Sequence, residues 1–308
     1  MAGSPRFTTR CLTRRAWLML GLAGMCRGRE VVPLKAPVAA APGFVYRAEK
    51  GGRVLFLASG LHRMKADAYP LPAAYERAYR QSAGLWFESD PREAHAGRGT
   101  TEAERRGLMS GRNRLEDFLT ESTRAALRKY LAGRKISTEF VSRMRPWYLG
   151  MYLMNLEYAR RGILTRHGVD SYFTQRADHD DKPVRGLEPP SRSVDALTTL
   201  SAAEQDRNLA ETLASLPDMM TFYTALTTAW RQGSEKDALR LLRPPGYAAN
   251  ESWRSLVAAR NAAWAAKLDA LKALQPVMII VGLDHLIGPE GMVAQFTARG
   301  YAVTAVKP

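Results

Sequence analysis

Two short apolar runs constrain this chain more than any other feature. Val54-Leu55-Phe56-Leu57-Ala58 leads into Ser59-Gly60-Leu61-His62, and Pro276-Val277-Met278-Ile279-Ile280-Val281 leads into Gly282-Leu283-Asp284-His285. Unbroken apolar runs of this length, rich in β-branched residues, read as strands buried on both faces, as in a parallel sheet covered by helices. Each run is followed by a segment of helical pattern. Two of the five histidines therefore stand at the carboxyl ends of two core strands, more than 200 residues apart. In open α/β sheets that edge is where ligands bind, and glycine lets the backbone turn and approach a ligand closely. Two imidazoles brought to one such edge point to a metal site. The alternative is a hydrogen-bonded structural histidine at each strand end.

The rest of the chain arranges itself around these two strands. Residues 44–54 predict a hairpin about Gly51-Gly52 that feeds the first core strand. A helix over 73–82, a second buried strand at Leu85-Trp86-Phe87-Glu88 and an exposed polar excursion over 91–111 follow. Helices are expected over 115–132 and 137–161, with Asp117, Thr120 and Ser122 as caps. A further helix starts at Gly168, and Pro183-Val184-Arg185-Gly186-Leu187-Glu188 reads as a third short strand ending in an acid. Helical pattern then runs over 201–242, breaking near Pro217 and Gly233, and over 248–274. A helix over 288–299 and a closing strand at 302–306 complete the chain. Strand–helix–strand spacing at both ends implies parallel pairing. The expected fold is α/β: a mixed, largely parallel central sheet split into two halves by a large helical insertion. The two strand–Gly–His–helix–strand stretches also resemble each other, which would set the histidines in equivalent positions facing one cleft.

Composition adds boundaries. The net charge of +15 is uneven: Arg6, Arg10, Arg14, Arg15, Arg27, Arg29 and Lys35 face only Glu30 in the first 35 residues. No helix-turn-helix, zinc-finger or aromatic RNA-binding signature accompanies that charge, so no nucleic-acid partner is expected. Arginines precede a ten-residue apolar stretch at 16–25, shorter than the ~20 residues that span a bilayer and within the range of a signal h-region. Thr13-Arg14-Arg15-Ala16-Trp17-Leu18 resembles a twin-arginine export signal. Residues 1–43 are accordingly read as an export leader and linker, and 44–308 as one domain that is periplasmic or anchored through residues 10–25. Both cysteines, Cys11 and Cys26, fall in the leader. The domain itself then has no thiolate, and any metal must be held by His, Asp or Glu, a donor set suited to Zn, Mn, Co or Fe.

His62 and His285 are the leading metal ligands. Glu88, at the end of its own strand, is the third ligand or a general base, or else an acid capping the next helix. Two nitrogens, a carboxylate and one open position form a hydrolytic arrangement. Arg260 and Asn261 interrupt a mostly apolar helix. A guanidinium there would steady an oxyanion or a substrate carboxylate, or pair structurally with Glu188 or Asp284. His95 and His179 read as solvated, and His167 as a helix-start residue. Gly-x-Ser-x-Gly, P-loop, dinucleotide and His-Glu-x-x-His signatures are all missing from the sequence.

Taken together, Leu57-Ala58-Ser59-Gly60-Leu61-His62, Tyr69-Pro70-Leu71-Pro72, Phe87-Glu88, Arg145-Pro146-Trp147, Gly168-Val169-Asp170, Leu187-Glu188, Ala229-Trp230, Arg260-Asn261 and Gly282-Leu283-Asp284-His285-Leu286 resemble, in order and spacing, the TraB/GumN family. That family is related to the Tiki metalloproteases and more distantly to the erythromycin-esterase and ChaN-like proteins. The resemblance covers roughly residues 44–306. It implies a Tiki/ChaN-like α/β fold and a metal-dependent hydrolase centre that cleaves peptide or protein substrates, with Mn or Co as the expected metal and Zn as an alternative. His62, Glu88 and His285 would hold the metal, with Glu88, Arg260 and Asn261 serving the chemistry. Three positions depart from the family pattern. Ser59 stands where glycine is usual, with glycine shifted to Gly60, Trp230-Arg231-Gln232-Gly233-Ser234 replaces Trp-x-x-Gly-Asp, and the stretch after Glu188 lacks the usual glutamine. The competing expectation is a non-catalytic periplasmic binder or an envelope-assembly accessory protein on the same fold.

Overall fold

The computed structural model describes residues 41–96, 102–243, 250–271 and 275–308. Residues 1–40, which hold most of the expected leader with both cysteines, the twin-arginine-like stretch and the apolar residues 16–25, lie outside the described residues, as does the side chain of His95. No helix among the described residues is long and apolar enough to cross a membrane.

Six strands form one sheet: β1 (Val45–Lys50), β2 (Arg53–Gly60), β3 (Gly84–Phe87), β4 (Val184–Gly186), β5 (Val277–Gly282) and β6 (Ala302–Ala305). Their order across the sheet is β4-β3-β5-β2-β1-β6. β4, β3, β5 and β2 are parallel neighbours, while β1 pairs antiparallel with both β2 and β6. The fold is thus mixed α/β with a mostly parallel sheet. The two apolar runs become β2 and β5, the central neighbours, and every residue of β5 is buried. Their unbroken apolar character follows from helices covering both faces. β6 is an edge strand and largely exposed, and its sequence carries the weakest signal.

The hairpin from β1 to β2 turns at Gly51 (φ 55°) and Gly52 (φ 79°). Two consecutive left-handed residues make the turn whose twist matches the strands, and glycine adopts that backbone without steric cost. Most of the helices fall between β3 and β4 and between β4 and β5, so the helical excursion comes in two pieces separated by β4. These pieces build a second core around Leu127, Leu149, Leu153 and Leu209, separate from the core lining the sheet.

Four helix expectations change. The helix expected over 115–132 is a 3-10 turn, Leu115–Phe118, followed by a helix, Glu121–Arg134, that Thr120 caps. The helix expected over 137–161 is two, Thr138–Val141 and Pro146–Ala159. A residue before proline is driven to extended backbone, and Arg145 sits at φ −65°, ψ 149°. The long helix expected over 248–274 starts at the Asn250 cap and passes through a π-helical turn, Arg254–Ala258, before Ala259–Ala270. The polar excursion holds a helix, Glu102–Gly107, with Ala103 and Gly107 buried, and Arg106 ties it to Asp195 and Thr198.

Glu157, fully buried in helix Pro146–Ala159, accepts from Tyr130 Oη at 2.7 Å and Arg134 Nε at 2.6 Å, and pairs with Arg161. Burial alone would raise its carboxyl, but these donors overcome that and hold it at about 2 against the usual 4.5. A depressed carboxyl contributes stability that is present above pH 4.5 and lost as the pH falls through the folded value. Glu157→Gln should therefore cost about 2 kcal/mol at pH 7, discounted because both arginines reach solvent. Urea titrations of both proteins check this: the gap between them should close as the pH is lowered from 4.5 towards 2.

Candidate functional site

Parallel register delivers the site. Gly60 lies opposite Gly282 across β2 and β5, and Phe87 lies opposite Ile280 across β3 and β5. His62 comes two residues after Gly60, and His285 sits in the short helix Leu283–Leu286 that follows Gly282 directly. Glu88 follows β3, and Glu188 comes two residues after β4. Four neighbouring strands thus present Glu188, Glu88, His285 and His62 along the carboxyl edge of the sheet, where α/β folds bind ligands.

Glu88 is the centre. Its Oε1 accepts from the Gly282 backbone N–H at 2.8 Å and lies 3.6 Å from His62 Nε2, while its Oε2 lies 3.8 Å from His285 Nε2. A Cβ on Gly282 would stand 3.2 Å from Glu88 Oε1 and 3.4 Å from His62 Nε2. Glycine there keeps the space between the histidines open. Each imidazole is held from behind. His62 Nδ1 is 3.0 Å from Asp170 Oδ2, and His285 Nδ1 is 2.7 Å from Asn261 Oδ1. Asn261 Nδ2 donates to the Glu290 carbonyl, which fixes the amide so that its oxygen faces the ring. His285 therefore carries its proton on Nδ1 and turns a lone pair outward from Nε2. His62 Nε2 is buried and has no hydrogen-bond partner.

Arg260 spans the cluster. Its Nη2 donates to Glu88 Oε2 at 2.9 Å, its Nε to Glu188 Oε1 at 2.9 Å and its Nη1 to His285 Nε2 at 3.2 Å. The Trp264 indole donates to Glu188 Oε2 at 2.8 Å, and its ring lies 4.6 Å from the guanidinium carbon. The π-helical turn just before Arg260 inserts one extra residue into the helix and sets which face Arg260 and Asn261 occupy.

These groups set one another's charge. Burial would raise Glu88, but His285, Arg260 and His62 outweigh it and leave the carboxyl well below its usual range. Burial lowers His285 to about 3, and Arg260 works in the same direction. His285 is neutral, so Arg260 and His62 are the standing cations beside Glu88. Burial also works against His62, yet Asp170 and then Glu88 carry it up to about 10. Arg63, next in sequence, is half-buried, and burial pulls its guanidinium below the ordinary arginine value with Tyr158 acting the other way.

The donor types suit a divalent cation: two Nε2 atoms and a carboxylate, with each ring anchored at Nδ1 in the manner of outer-shell partners. Their spacing is that of a hydrogen-bonded cluster with Arg260 inside it. Among the described residues no group of three or more His, Cys, Asp or Glu is arranged to hold a metal ion.

The structure brings all five expected residues, His62, Glu88, Arg260, Asn261 and His285, into one cluster. Arg260 pairs with Glu188, whereas Asp284 goes to Arg243 at 3.1 Å. His179 is exposed and bonds Asp180. Asp170 and Arg63 belong to the neighbourhood without having stood out in the sequence. One departure from the family pattern meets a residue that the pattern keeps: Ser59 Oγ accepts from Trp230 Nε1 at 2.7 Å and meets Tyr75 Oη at 2.9 Å. Ser59 thus faces the Tyr75–Trp230 packing, and the Glu88 cluster keeps all its side chains.

Comparison with curated proteins and with solved structures finds no match. The profile of the TraB/PrgY/gumN family matches residues 44–305, nearly all of the domain and every strand and cluster residue described above. The chain belongs to the TraB/PrgY/gumN family.

Proposed function

We propose that this protein is an exported metal-dependent hydrolase acting on peptide or protein substrates, with His62, Glu88 and His285 as the ligands of a divalent cation, Mn or Co before Zn. One observation carries the reading: a buried His62 Nε2 without a partner, aimed at Glu88 and opposite a second Nε2 whose ring is anchored in the same way. A metal bound there would polarise a scissile carbonyl and acidify a water. Asp170 and Asn261 hold the two rings so that each Nε2 faces inward, where His62 would release its Nε2 proton to bind a metal, and Gly282 N–H holds one Glu88 oxygen in place. Glu88, ionised and desolvated, is the proton acceptor closest to the reacting atoms. Arg260 moves from His285 to a developing oxyanion, retaining Glu188 as its anchor. Residues 1–43 direct export in this reading.

A second reading rests on the contacts of Arg260. Its guanidinium already satisfies Glu88, Glu188 and His285, which favours a non-catalytic binder or envelope-assembly protein built on a self-neutralised cluster.

Elemental analysis of purified wild type beside the His62→Ala/His285→Ala double variant separates the two. One equivalent of metal in wild type, none in the variant and peptide cleavage by wild type alone is the expected result. A metal-free wild type after reconstitution with Mn, Co and Zn would shift the assignment to the binder.

A further inference from the structure

A cavity of about 30 Å³ adjoins the cluster at His62, lined by His62, Arg63, Tyr158, Phe222, Tyr223 and Leu226 among others. Helices Pro146–Ala159 and Met219–Gln232 supply its apolar and aromatic wall. Arg63 is the one lining group that carries a permanent charge. Five other half-buried arginines, Arg106, Arg134, Arg176, Arg231 and Arg243, and the buried Arg260 each hold a carboxylate or a carbonyl. No described carboxylate or carbonyl pairs with the Arg63 side chain, which lines this cavity half-buried. An uncompensated cation at an apolar wall is costly unless a ligand neutralises it. The space exceeds the ~10–15 Å³ that one water needs. It takes the two oxygens of a carboxylate and excludes a sugar or a nucleobase.

We propose that Arg63 and this cavity form a carboxylate-binding subsite, and that the carboxylate is carried by the peptide ligand next to the bond presented to His62 and Glu88. The fork of a guanidinium matches two carboxylate oxygens, and the apolar wall strengthens the pair. The chain-terminal carboxylate and an acidic side chain share this chemistry. The proposal takes its peptide substrate from the hydrolase reading above, but the subsite stands on Arg63 and the cavity and requires no metal.

Calorimetric titration of the chelator-treated full chain tests it with four probes: N-acetyl-Ala-Ala, its C-terminal amide, the amide of N-acetyl-Ala-Glu, and inorganic phosphate. Wild type should bind the free acid about tenfold more tightly than the plain amide. Arg63→Met should remove that preference, and Arg63→Lys should keep part of it and guard against a folding defect in the methionine variant. If the glutamate-bearing amide binds as tightly as the acid, the subsite stands and its ligand is the side chain. Equal binding of acid and plain amide by wild type, no binding of either, tighter binding of inorganic phosphate, or an undiminished preference in Arg63→Met would each overturn the proposal. An intact preference in a protein that takes up no metal when reconstituted with Mn, Co or Zn would sink the hydrolase reading and leave the subsite standing.

Discussion

Arg260→Met should lower the stability of the fold by about 3–5 kcal/mol, the usual cost of removing one partner from a buried ionic cluster. The side chain of Arg260 is 2% exposed and lies between Glu88 and Glu188, themselves 14% and 9% exposed. Methionine fills much of the volume but supplies no donor. Two carboxylates are then left in a sealed site with His62 as the only remaining cation close to either. Trp264 and the Gly282 N–H each satisfy one oxygen and cannot neutralise the charge. Urea titration at pH 7 measures the loss. Adding Glu188→Gln should return part of it, because one of the stranded charges disappears and sites in contact couple. A loss below about 1 kcal/mol would mean that water reaches the carboxylates far more freely than their burial allows.

Gly168→Ala should be nearly as damaging, and for a steric reason. Gly168 caps helix Val169–His179, and a Cβ there would lie 2.3 Å from the His62 carbonyl oxygen, 2.6 Å from its carbon and 3.0 Å from the Leu61 oxygen. All three are backbone atoms at the end of β2, so no rotamer change relieves the clash. The helix must back away, breaking the Val169 N–H bond to Leu61 and drawing Asp170 from His62 Nδ1. Overpacking of this kind costs about 3 kcal/mol. Loss of the Asp170 anchor should weaken any metal held at His62 by roughly 10–100-fold. Thermal melting reads the first effect, and the NMR signal of the His62 Nδ1 proton reads the second. A normal melt with that signal unchanged would contradict the close approach.

Much of the fold was legible because β2 and β5 are buried on both faces and so leave unbroken apolar runs. The Gly51-Gly52 turn, Glu88 at a strand end and the polar pair Arg260-Asn261 in an apolar helix were visible for similar local reasons. Strand order was not. Nothing in the residues of β5 states that it inserts between β2 and β3, because neighbours in a sheet are chosen by shape and burial over the whole chain. Asp170 was hidden likewise: a helix-start aspartate reads as a cap, and its bond to His62 spans 108 residues. The break at Arg145-Pro146 was present in the sequence, but the apolar periodicity on either side of it masked the proline.

The position of β5 bears on how the molecule comes into being. A chain ending at residue 271 would lack the middle of its sheet as well as the edge strand β6, leaving β2 and β3 without the strand that joins them. Contacts of such high sequence separation form only after a long loop has closed, which slows folding. The nascent chain must stay unassembled until nearly all of it has been made. The same late step that completes the sheet brings His285 beside Glu88, so an incomplete product carries no half-built site.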